Sequence, residues 1–79
     1  MKNIKLPVLS VEKTGKRIHE LRMNNRIKVK ELQAILGVSH TAIYNWESGK
    51  GTPSLDNLVI LAELFNVTIN DIVQLEENK

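Results

Sequence analysis

The sequence contains no cysteine, which removes disulfide scaffolds and thiolate metal sites together. His19 and His40 are its two histidines. A metal site needs three or four converging ligands, so no metal and no cofactor are expected. No apolar run approaches the roughly 18 residues a membrane span requires. The N-terminal stretch opens with Lys2, but its apolar part is short, broken by Pro7 and followed by no small-residue cleavage site. The expected location is therefore cytoplasmic. Gly49-Lys50-Gly51 lacks the preceding strand and following helix start of a phosphate-binding loop. The carboxylates are scattered and no motif sets a nucleophile beside a base, so an enzyme is not expected.

What remains is a 79-residue chain with 42% apolar and 25% charged residues, enough for one globular domain. A core of that size contributes only roughly 3–5 kcal/mol, so most apolar side chains are needed for packing. The net charge of +2 conceals an asymmetry. Through Lys50 the chain holds ten of its eleven basic residues and four acids, a local balance of +6. The remainder holds one lysine and five acids, a balance of −4. A basic front and an acidic back suit a polyanionic partner on one side, though a solvated surface can drift to the same pattern.

Periodicity and capping signals predict five short helices behind a loose arm over residues 1–9, with a domain over 10–75 and a frayed tail over 76–79. Ser10 caps the first helix, whose stripe carries Val11, Thr14, Ile18, Leu21 and Asn25; Gly15 on that stripe costs helix propensity and permits close packing. Asn24-Asn25-Arg26 ends it and Ile27 is a buried linker candidate. Lys28 or Val29 opens the second helix, Leu32, Ile35 and Leu36 form its apolar face, and Gly37 stops it. Val38 points inward, and Ser39 caps a third helix with Ala42, Ile43 and Trp46 inside. Ser54 caps a fourth, with Leu55, Leu58, Val59, Leu61, Ala62 and Phe65 as a broad apolar face ended by Asn66. Thr68 or Asn70 caps the last, which carries Ile69, Ile72, Val73 and Leu75. There is no strand alternation.

Leu32 through Trp46 is the informative stretch. Two short helices joined by Gly37-Val38-Ser39 bury little alone and become stable by packing steeply on one another and on their neighbours. Apolar residues at Leu32, Leu36, Val38, Ile43 and Trp46 around a glycine turn have the spacing of a helix-turn-helix. The chain here resembles the Cro-type, phage-repressor-like helix-turn-helix domains, the XRE family, over about residues 14–73. The residues that carry the likeness are Gly-Lys-Arg-Ile-His-Glu-Leu-Arg (15–22), Glu-Leu (31–32), Leu-Gly-Val-Ser (36–39) and Ala-Ile-Tyr-Asn-Trp-Glu-Ser-Gly (42–49). It continues through Pro-Ser (53–54), Asp-Asn-Leu (56–58) and Leu-Phe-Asn-Val-Thr-Ile-Asn-Asp-Ile (64–72). The resemblance implies an all-α, compact five-helix domain whose second and third helices form the helix-turn-helix. Two positions depart from the usual pattern: Lys28-Val29 stands where Thr-Gln is common, and Gln33 where a small alanine is common.

The resemblance implies sequence-specific binding to double-stranded DNA, and transcriptional regulation as a repressor, with the third helix (about 40–48) in the major groove. Residues matching His40, Thr41 and Asn45 reach base edges, and their chemistry agrees: Asn pairs with adenine, Thr offers a hydroxyl and a methyl, and His donates to guanine acceptors. Ser39 serves the helix end and is a candidate for phosphate, as are Lys28, Lys30 and Lys50. Tyr44 is outward and half polar, suited to phosphate, sugar or a thymine methyl, or simply a surface residue. Arg22 and Glu47 match a pair that ties the first helix to the third by a salt bridge. Partners implied are a palindromic operator and a second copy of the chain, docked through the last two helices (Leu64, Val73, Leu75) or the arm (Ile4, Leu6, Val8, Leu9). The alternative on the same fold is an antitoxin or protein-interaction module that binds a small protein.

Overall fold

Side-chain oxygens begin four of the five helices. In the computed structural model, which describes residues 6–77, Ser10 Oγ accepts from the Lys13 N–H at 3.0 Å and opens α1 (Val11–Asn24). Ser39 does the same for Ala42 at the start of α3 (His40–Glu47), and Ser54 for Asn57 at the start of α4 (Leu55–Phe65). Thr68 opens α5 (Ile69–Ile72) in a reciprocal box, its hydroxyl accepting from the Asp71 N–H while Asp71 accepts from the Thr68 N–H. Each such cap stabilises its helix by about 1 kcal/mol. α2 (Val29–Leu36) starts differently, with the Glu31 carboxylate reaching back to the Lys28 N–H at 2.9 Å. Left-handed residues end two of them: Gly37 after α2 (φ 66°) and Asn66 after α4 (φ 56°).

Every helix contributes one fully buried aliphatic residue to a single core: Ile18, Leu32, Ile43, Leu61 and Ile72, each at 0% exposure. Each is worth about 1.5–3 kcal/mol of burial. Leu21, Trp46, Ala62 and Phe65 complete the cluster. The five centres come from five elements, so each helix relies on the others to cover its apolar face, as expected for segments too short to be stable alone.

The chain ends depart from expectation. Leu9 and Leu75 form an antiparallel bridge, with the Ser10 N–H donating to the Gln74 carbonyl at 2.8 Å and the Glu76 N–H to the Val8 carbonyl at 2.7 Å. Thr14, buried in α1, accepts from the Gln74 N–H at 2.9 Å. So the segment expected to be loose is paired at Val8 and Leu9, and α5 stops at Ile72 because Val73 turns extended (φ −74°, ψ 124°) to reach it. Ile4 and residues 78–79, assigned to the arm and tail, lie outside the described residues. Three expected core positions are on the surface instead: Ile35, Leu55 and Val59 are exposed. The helical stripe is narrower than the run of apolar residues that marks it.

Candidate nucleic-acid interface

α3 is held from behind at three points. Ile43 and Trp46 enter the core. Gly15 on α1 lies so close that a Cβ there would collide with the Trp46 carbonyl oxygen. Glu47 is clasped by α1: Arg22 Nε donates to its Oε2 at 2.7 Å and Arg22 Nη2 to its Oε1 at 3.0 Å, with each side chain only 10% exposed. His19 Nδ1 lies 2.7 Å from the same Oε1. The Arg22 Nη1 donates to the Ile27 carbonyl, which fixes the α1–α2 turn as well. Burial pushes the Glu47 carboxyl up, but the hydrogen bonds from Arg22 and His19 outweigh it and leave the group below the usual carboxylate value of 4.5. The Glu47 hydrogen bond raises the Arg22 guanidinium in turn. His19 is the part of this cluster that sequence reasoning missed. Its signal was the three-residue offset from Arg22, which puts both on one side of α1.

The opposite side of α3 carries His40, Thr41, Tyr44 and Asn45, all exposed. At 3.6 residues per turn these four span a sector of about 140°. Among the described residues, no hydrogen bond within the chain engages the side chains of His40, Thr41 or Asn45, so their donors and acceptors remain available. The His40 and Tyr44 rings meet edge to face, centroids 4.4 Å apart at 82°. Ser39 is exposed; its oxygen accepts the capping N–H and its hydroxyl proton is left to donate outward.

The cations divide into two sets. On α1, Lys13, Lys16 and Arg17 pair with Glu77, Glu12 and Glu20. Arg26 just before α2, Lys28 and Lys30 at its start, and Lys50 just after α3, are exposed and make no ion pair among the described residues. Unneutralised charge therefore sits at the two ends of the helix-turn-helix. Of the two departures from the usual pattern, Val29 packs its side chain against the core, so it offers no polar group where α2 begins. Gln33 is half-buried, so its long side chain is accommodated without breaking the α2–α3 packing.

Among the described residues no group of three or more His, Cys, Asp or Glu is placed to hold a metal ion, and no helix is long and apolar enough to cross a membrane.

The helix-turn-helix family matches residues 18–72. The HTH-type transcriptional activator BcrR of Enterococcus faecalis is 37% identical over 63 residues, which cover 80% of this chain and 31% of BcrR. The HTH-type transcriptional regulator AnsR of Bacillus subtilis is 32% identical over 63 residues, covering 80% of this chain and 54% of AnsR. The chain thus spans between 31% and 54% of the length of these two relatives. The crystal structure of the restriction-modification controller protein C.AhdI from Aeromonas hydrophila shares the fold, with a TM-score of 0.68, 24% identity, and coverage of 78% of this chain and 94% of that one. The chain belongs to the XRE-type, phage-repressor-like family of helix-turn-helix DNA-binding domains.

Proposed function

We propose that the chain is a cytoplasmic transcriptional regulator, acting as a repressor, that binds double-stranded DNA in a sequence-specific manner with α3 in the major groove. The observation that carries this reading is the outward face of α3: uncommitted polar side chains on a helix locked to the core from behind. His40, Thr41 and Asn45 read base edges. Lys28, Lys30, Ser39, Lys50 and the Tyr44 hydroxyl meet the sugar-phosphate backbone and set the register without reading sequence. The domain over residues 10–75 is the reading unit. One module of this size buries little surface, so the chain acts as a homodimer on a palindrome with half-sites about one helical turn apart.

Selection of the protein against a random duplex library at a fixed, stated salt concentration tests this directly. Enrichment of a twofold-symmetric motif is the expected result. Recovery of no motif, together with no shift of any duplex at low salt, overturns the reading.

A further inference from the structure

Tyr44 is 58% exposed, yet its ring is not free. It stands one helical turn after His40, and the two rings meet edge to face with centroids 4.4 Å apart and an interplanar angle of 82°. That arrangement suits the aromatic quadrupoles and favours one orientation of each ring by about 0.5–1.5 kcal/mol. His40 is the first residue of α3 and, among the described residues, has no hydrogen bond to hold its imidazole. Without the tyrosine ring, an exposed imidazole at a helix start would sample several rotamers and would lose that freedom on binding.

We infer that Tyr44 is a positioning residue for His40: its ring fixes the imidazole in the orientation in which His40 meets a purine acceptor, so Tyr44 sets specificity at the base pair His40 reads. The inference rests on the proposed base reading by α3. It assigns the ring of Tyr44 a task separate from any contact its hydroxyl makes with phosphate. The two tasks use different atoms of one side chain, so Tyr44→Phe and Tyr44→Ala divide them. Guanine, with its N7 and O6 acceptors, is the base this chemistry favours.

The test measures binding of the selected duplex and of all its single-base-pair variants by the parent protein and by His40→Ala, Tyr44→Ala, Tyr44→Phe and the His40→Ala/Tyr44→Ala double variant. All the substituted side chains are exposed, and melting curves check that each variant is folded. His40→Ala is expected to reduce the preference at one base pair about tenfold. Tyr44→Ala relaxes the same base pair several-fold, and the double variant relaxes it no further than His40→Ala alone. Tyr44→Phe keeps the preference intact, whether or not it loses affinity evenly for every duplex. The inference is overturned if Tyr44→Ala keeps full preference at that base pair, relaxes a different one, or is matched by Tyr44→Phe. If His40→Ala changes no preference anywhere, base reading by His40 itself fails. That result is separate from anything the Tyr44 variants show, and it ends the inference with it.

Discussion

Gly15 of α1 presses its bare Cα against the main-chain carbonyl of Trp46 in α3, with no room between them for a methyl group. A glycine inside a helix normally costs about 1 kcal/mol relative to alanine. Here it permits the close approach by which α1 holds α3.

Gly15→Ala therefore has two opposed effects. The gain in helix propensity is about 1 kcal/mol. The collision is with backbone, which cannot rotate away, and overpacking of this kind costs about 1–3 kcal/mol or more. Net destabilisation, read as a lowered melting temperature, is the expected outcome. A variant at least as stable as the parent would show that α1 and α3 are not so closely apposed.

The Glu47 carboxyl makes stability depend on acid pH. Its folded-state value lies below 4.5, so the stability it contributes is present above that value and is lost as pH falls through the lowered one. Glu47→Gln removes this component and leaves Arg22 without its anion; breaking a buried pair from one side costs about 3 kcal/mol. What acid dependence remains includes Asp71, whose carboxyl is held below 3.8 by hydrogen bonds from the Thr68 N–H and hydroxyl. Unfolding free energies measured against pH are expected to fall less steeply in the variant below 4.5. Parallel curves would remove Glu47 as the source.

Much of this fold is legible in the sequence, and the reason is local. Ser10, Ser39, Ser54 and Thr68 announce their helices because capping is chemistry between near neighbours. Gly37 and Asn66 end theirs for the same reason. Ile35, Leu55 and Val59 misled because periodicity marks an apolar stripe without saying where the neighbouring helices stop covering it. The pairing of Leu9 with Leu75 was invisible for a different reason: two residues of bridge leave no alternation, and the partners are separated by nearly the whole chain. The outward residues of α3 could be named from phase alone. That no hydrogen bond among the described residues engages the side chains of His40, Thr41 or Asn45, and that His40 meets Tyr44, required side chains in place.

Asn45 and the lysines flanking the helix-turn-helix should behave differently on substitution. Asn45→Ala is expected to cost on the order of 1–3 kcal/mol on the preferred site and to relax discrimination at one position. Binding to single-base-pair variants checks this, and unchanged discrimination would remove Asn45 from the readers.

Lys30→Ala or Lys50→Ala should weaken every duplex alike. Each neutralised phosphate contributes about 0.9 to the slope of log affinity against log salt, so loss of one lysine flattens the slope by about one unit. A slope equal to the parent's would place that lysine off the DNA.

The central claim is that the outer side of α3 is the surface that meets DNA. Amide NMR spectra of labelled protein, recorded while the selected duplex is added, test it residue by residue. Shift changes concentrated at His40, Thr41, Tyr44 and Asn45, with a second set at Lys28, Lys30 and Lys50, are the predicted result. Changes confined to α4 and α5 while α3 stays silent would contradict it.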